Sequence, residues 1–516
     1  MQADGIKTSG SSAVKKTEEV PRLVKLLGSK SDADAASDAL KDLTAKGAER
    51  RAEVIDAGGL AALIALCKGE STRSQESAIG SLLNIGCTEK HRPAMTKAGA
   101  LGAAVHVLKS QESTPRAKSW ACGVSEKIGK GADKEKQWQQ VFDAGVLPLA
   151  LAVIKDGTED GKTRAANLLK DWTSGHQPVR QPLIDAGGLE PLVKLCKEGT
   201  AKQSEPAIGC FLNIGCTPAC RPAMTKSGCL DAAVAVMKSA SASKQAQGWA
   251  AAVAGKIGSG HDEEKQWKLV FDSGAVPLAL AVMKDGEEDG KTRASEMMKD
   301  LTSGFKECRQ PVIAAGGLEV ILALASKGKP KQQEPACGCL LNIGCTVDCR
   351  PAMTKAGTVA AMVSVLKTSN ATKTAKGWAC AVCQKIGNGD DEKQWQLVFD
   401  AGVLPLALAV IKDGTEDGKT RASEMLKDFT SNHKECRQPL IDAGGLEPLV
   451  KLCKEGTAKQ SEPAIGCFLN ISCTKECISA LKDAGCLAAV KAAMAADKAT
   501  DNSKTWGKKV VDKLDA

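Results

Sequence analysis

The residues of this 516-residue chain with the greatest capacity for chemistry are its 21 cysteines. Several stand four apart: Cys216 with Cys220, Cys345 with Cys349, and Cys473 with Cys477, while Cys87 is followed at the same distance by His91. Groups at i and i+4 share one face of a helix and could bind one metal ion. A structural zinc needs four ligands, and no second pair accompanies each of these at fixed spacing, so the pairs read as small apolar thiols of a core. No metal and no other cofactor is expected. A second candidate is GTEDGKT, from Gly157 and again from Gly414, with GEEDGKT from Gly286. A phosphate-binding loop needs one more residue between its glycines and a strand before them, and Glu159 and Asp160 would repel phosphate. A helix-to-helix turn is expected there. The five histidines, His91, His106, His176, His261 and His433, have no carboxylate or nucleophile that keeps step with them. The chain therefore reads as no enzyme, without a small-molecule substrate.

Other residues do keep step. RPAMTK begins at Arg92, Arg221 and Arg350, with a degenerate copy at Ile478, so the offsets are 129, 129 and 128. Trp120, Trp249, Trp378 and Trp506 form one tryptophan series with this step, and Trp138, Trp267 and Trp395 another. The missing residue falls between Lys385 and Trp395, which marks a loop.

A shorter period lies inside the long one. A small residue plus glycine, followed by an apolar stretch, recurs at Gly58, Gly99, Gly145, Gly187, Gly228, Gly274, Gly316, Gly357, Gly402, Gly444 and Gly485. The steps of 41 to 46 residues have the length of two- or three-helix solenoid repeats. With units named A (from Gly58), B (from Gly99) and C (from Gly145), the order is C-ABC-ABC-ABC-AB. Within a unit, RQPLIDAGG from Arg180 is a short helix stopped by a left-handed glycine. GLEPLVKLCKEG then has helical apolar spacing with Pro191 in its first turn, and SEPAIGCFLNIGC supplies a third, more apolar helix. No run alternates with period two, so no strands are expected. Residues 1–19, rich in Ser, Gly, Lys and Thr, read as a flexible tail before a solenoid spanning 20–516. In the last B unit WGKKVVDKLD replaces WACGVSEKIG, placing Lys508 and Lys509 where a face is expected to meet water.

IDAGGLEPLVKLC from Ile184 and EPAIGCFLNIGC from Glu205 resemble the armadillo repeat family, and the resemblance recurs over about residues 20–516. It implies an all-α fold, a right-handed superhelix of about twelve three-helix repeats, whose third helices line a concave groove for extended peptides. The family's groove asparagine corresponds here to Asn84, Asn213, Asn342 and Asn470, in A units alone. B units have Lys127, Lys256, Lys385 and Lys513 at this place, and C units Asp42, Asp171, Asp300 and Asp428. Four residues before the asparagine, where peptide-binding members carry tryptophan, stand Gly80, Gly209, Gly338 and Gly466. This departs from the members that hold nuclear localisation signals. If the ladder faces inward, residues seven earlier share its face: Trp120, Trp249, Trp378 and Trp506 in B units, Arg164, Arg293 and Arg421 in C units. The competing reading makes the tryptophans core and the charges a solvated face.

Composition narrows the function. Apolar residues at 43% and charged residues at 25% fit a folded globular chain. A net charge of +9 over this length does not mark a nucleic-acid binder. Tyrosine is absent, so an interface must lean on the eight tryptophans. No apolar run has the length of a transmembrane segment. The cysteine count and an N-terminus without a secretory apolar run point to a reduced, cytoplasmic setting. The expected function is a protein-interaction scaffold that holds an extended segment of another protein in its groove. A structural spacer in a larger cytoskeletal or membrane-associated assembly is the alternative, and weak nucleic-acid binding a further one.

Overall fold

The computed structural model describes residues 19–389, 393–497 and 499–515. The expected tail lies outside the described residues except for Glu19, and so do residues 390–392 of the interval between Lys385 and Trp395 that is one residue short. The described residues are helices joined by short turns, with no strand among them.

The chain divides into two compact units, residues 1–260 and 261–516. Each contains the same order of repeats, C-A-B-C-A-B. In the first, the third helices are Ala33–Ala45, Thr72–Gly86, Pro115–Gly129, Glu159–Gly175, Ala201–Gly215 and Lys244–Gly258. In the second they are Glu288–Gly304, Pro330–Gly344, Lys373–Gly387, Glu416–Asn432, Ala458–Ile471 and Asp501–Asp515.

A single A unit shows how residue type sets these elements. The first helix, Arg180–Asp185, stops at Gly187, whose φ of 72° is a conformation that Cβ-bearing residues avoid. All eleven glycines of the shorter period adopt it, with φ from 69° to 88°. The second helix, Leu189–Glu198, buries Leu189, Leu192, Leu195 and Cys196 on one side. The third, Ala201–Gly215, opens with the Thr200 N–H donating to Gln203 Oε1 at 2.9 Å, half of a capping box. Ala207, Ile208, Cys210, Phe211 and Ile214 of this helix are fully buried. Its apolar character follows from position: a third helix has a third helix on either side and a second helix behind. Each large aliphatic side chain so buried stabilises by about 1.5–3 kcal/mol.

Neighbouring third helices are also joined by arginines at the start of the first helices. Arg180 donates from Nε to Thr173 O at 3.0 Å and from Nη1 to Thr217 Oγ1 at 2.9 Å, bridging the ends of a C and an A third helix. Arg92 bridges A to B through Gly86 O and Lys130 O. Arg309, Arg350 and Arg437 repeat the pattern in the second unit. Helix ends leave carbonyls without intrahelical partners, and a guanidinium satisfies two at once at Arg92 and Arg350 and one together with a threonine hydroxyl at Arg180, Arg309 and Arg437.

Candidate binding groove on the third helices

The second tryptophan series is core. Trp138, Trp267 and Trp395 are 1–2% exposed, and Trp138 and Trp395 are wedged between a B and a C unit. A Cβ on Gly129 would lie 2.2 Å from the Trp138 ring, and one on Gly175 2.5 Å from its Nε1. Trp138 stacks on Trp172 at 5.8 Å, and Trp395 on Phe429 at 5.0 Å.

Trp120, Trp249, Trp378 and Trp506 are half-buried, each lying across the glycine of the preceding A helix. A Cβ added to Gly80 would sit 2.8 Å from the Trp120 ring, on Gly209 3.0 Å from Trp249, on Gly338 2.9 Å from Trp378 and on Gly466 3.3 Å from Trp506. The glycine that departs from the peptide-binding pattern therefore makes room for an indole supplied by the next repeat. On the other side of the same glycines lie the side chains of Lys41, Lys170, Lys299 and Lys427, at 3.3, 3.0, 3.0 and 2.7 Å from the same Cβ positions. The Lys170 ammonium stands 6.0 Å from the centroid of the Trp249 ring and that of Lys427 5.8 Å from Trp506, within cation–π range. Each A unit thus has a slot with a glycine floor, a lysine from the C unit before it and a tryptophan from the B unit after it. The sequence reading missed these lysines. The signal was present in their constant offsets, 39 before each glycine with tryptophan 40 after it in all four copies.

The asparagines are engaged within the chain. Asn84, Asn213, Asn342 and Asn470 donate from Nδ2 to the backbone carbonyls of Lys41, Lys170, Lys299 and Lys427 at 2.8–3.1 Å. The same nitrogens reach Thr44, Thr173, Thr302 and Thr430 Oγ1 at 3.1–3.3 Å. Their carboxamide oxygens enter neither bond. The B-unit lysines lay their stems on the last glycines of the A helices: a Cβ on Gly86 would meet Lys127 at 2.9 Å, on Gly215 Lys256 at 2.9 Å and on Gly344 Lys385 at 3.2 Å. Lys127 pairs with the buried Glu126 at 3.0 Å. Burial alone would raise the Glu126 carboxyl, but the ammoniums of Lys127 and Lys130 outweigh it and hold it below the ordinary carboxylate range.

The C-unit charges are locally paired. Arg164, Arg293 and Arg421 reach back one turn to Asp160, Asp289 and Asp417 at 2.6–2.9 Å. Asp171 binds Lys130 and Lys170, Asp300 binds Lys299, and Asp428 binds Lys427 and accepts from Gln384 and Asn388. Asp171 and Asp428 thereby link their two C helices to the B helices before them.

Of the cysteine pairs, Cys220, Cys349 and Cys477 are buried, whereas Cys87, Cys216, Cys345 and Cys473 are exposed. No group of three or more His, Cys, Asp or Glu side chains among the described residues is placed to hold a metal ion. GTEDGKT divides between a turn and a helix: Gly157 is extended, Thr158 caps, and the third helix begins at Glu159. Open clefts of about 970, 650 and 300 Å³ recur where a C unit meets an A unit, with mixed Lys and Glu rims along the second helices. Among the described residues no single helix is long and apolar enough to cross a membrane.

Stacked three-helix repeats with a ladder of side chains on their third helices define an α-solenoid. Residues 305–344 match the family model for the armadillo/beta-catenin-like repeat. A solved structure from work titled "A conserved phosphorylation switch controls the interaction between cadherin and beta-catenin in vitro and in vivo" is similar, with 15% identity, a TM-score of 0.72 and coverage of 96% of this chain and 98% of that one. An engineered protein is similar at 22% identity and a TM-score of 0.55, covering 88% of this chain and 98% of its own. No curated protein sequence matches. The chain is an all-α solenoid of armadillo type.

Proposed function

We propose that this protein is a non-enzymatic scaffold whose third-helix face forms a groove for an extended segment of another protein. Armadillo-type solenoids are typically used for protein binding, and the beta-catenin of the similar structure is described as interacting with cadherin, itself a protein. The observation that carries the reading is the set of four half-exposed tryptophans, each fixed over a glycine at the same place in the repeat. Four other buried side chains of similar size fill the core, so the first series is not needed as filler and is available as rigid interface anchors. Helices pack about 8–10 Å apart, so successive slots within a unit lie roughly 30 Å apart.

The test is to capture the partner by photo-crosslinking in native extract and titrate it against the triple variant Trp120→Ala, Trp249→Ala, Trp378→Ala. Binding is expected to weaken by more than about 2 kcal/mol, the scale of an interface hot spot, with helicity retained. Undiminished binding, or unfolding of the variant, removes the anchors from the groove.

A further inference from the structure

We infer that each slot of lysine, glycine and tryptophan selects against cationic side chains and takes a carboxylate beside an apolar residue, so that the partner segment is acidic. The inference rests on the groove reading above and specifies its ligand. An indole face is a natural resting place for a cation. In two of the four slots that place is taken by the protein's own ammonium, from Lys170 at 6.0 Å over Trp249 and from Lys427 at 5.8 Å over Trp506, and Lys41 and Lys299 lie at the same place beside Gly80 and Gly338. An incoming lysine or arginine would meet like charge at the one surface that would otherwise attract it. A carboxylate meets the lysine, and an apolar neighbour covers the exposed part of the indole.

The chain's own carboxylates near the slot are already committed. Asp171 is shared between Lys130 and Lys170, and Asp428 accepts from Gln384 and Asn388 besides pairing with Lys427. On the same helix as Lys427, the Glu424 carboxyl is pushed above the ordinary range by desolvation, which weakens its claim on the lysine. The glycine of each slot is buried beneath the lysine stem and the indole, so what the slot presents to a ligand is the ammonium and the exposed part of the ring.

The experiment uses the full chain and two synthetic peptides of about twenty residues, one of repeated Gly-Ser-Glu-Leu and one of repeated Gly-Ser-Lys-Leu. At ~3.4 Å per residue each is long enough to span the two slots of one unit. Fluorescence anisotropy is expected to show the acidic peptide binding at least about tenfold more tightly than the basic one, since a like-charge contact in the slot costs more than ~1.4 kcal/mol. The variant Lys41→Met, Lys170→Met, Lys299→Met, Lys427→Met keeps an unbranched stem on each glycine. It is expected to lose that preference while its circular dichroism and melting stay those of the parent. A parallel variant, Lys109→Met, Lys238→Met, Lys367→Met, changes exposed lysines of the second helices and is expected to keep the preference; its loss there would show a bulk charge effect and overturn the inference. Equal or tighter binding of the basic peptide, or a preference unchanged in the slot variant, also overturns it while leaving a groove in place. Failure of both peptides to bind the parent overturns the groove reading with it.

Discussion

Trp138 and Trp120 are the same residue type in neighbouring helices, yet one is enclosed by glycines and the other lies half in water on a single glycine. Trp138→Ala should therefore cost about 3–5 kcal/mol, the usual range for an emptied aromatic site in a core. Trp120→Ala should cost distinctly less. Urea unfolding followed by circular dichroism compares the two, and equal losses would place Trp120 in the core. The cysteines divide in the same way. Burial pushes thiols such as Cys67, Cys122 and Cys383 up to about 12, so they are hidden and protonated. Iodoacetamide on the native protein at pH 8 should modify Cys87, Cys216, Cys345 and Cys473 first. Peptide mapping that finds buried thiols modified at comparable rates would contradict this packing.

Joints between elements have their own weak points. His91 stands where the other copies have Cys220, Cys349 and Cys477, and His176 where another copy has Phe305. Burial, followed for His91 by the charges of Lys90 and Arg51, depresses the His91 pKa, and burial does the same at His176. A histidine depressed in the folded state resists protonation there, while in the unfolded chain it takes up a proton below about 6.5. Its contribution is present above that pH and is lost as pH falls through and below it. The melting temperature should thus drop between pH 7.5 and 5.5, and the double variant His91→Cys, His176→Phe should flatten the drop. A pH profile identical to that of the parent would exclude these two groups as its source. The arginines at the start of the first helices are a second joint. Arg180→Met leaves the Thr173 carbonyl without its guanidinium partner, which should cost about 1–3 kcal/mol. Hydrogen exchange should show the loss at the ends of the third helices around Gly175 and Gly215 before it appears elsewhere.

For the whole chain, the repetition itself is testable. Deleting residues 188–316 rejoins Gly187 to Gly317, the equivalent of its natural successor Gly188 in the A unit. Because a solenoid repeat packs only on its neighbours, the shortened protein should keep its helicity per residue and melt cooperatively. Loss of either would mean that the copies are not interchangeable. At the last B unit, Lys508 and Lys509 are exposed where the equivalent Cys122 and Gly123 are buried.

Period, helix grammar and solenoid class were legible in the amino-acid order, because they depend on local rules. A left-handed glycine ends a helix wherever it stands, and apolar spacing declares a helical face without reference to partners. Local rules do not distinguish two tryptophan series with the same step. Their fates were decided by what lies opposite each ring, two glycines closing over Trp138 and one glycine beneath Trp120. The ladder asparagines look alike as a free row of amides in sequence. Only the stacking of repeats brought a carbonyl from about forty residues earlier against each of them, as Lys170 O does at Asn213. The lysines of the slots keep a constant offset along the chain, but the offset alone does not say what they touch. A pair such as Lys170 and Trp249 is made across two helix junctions, so its distance is a property of packing and not of spacing along the chain.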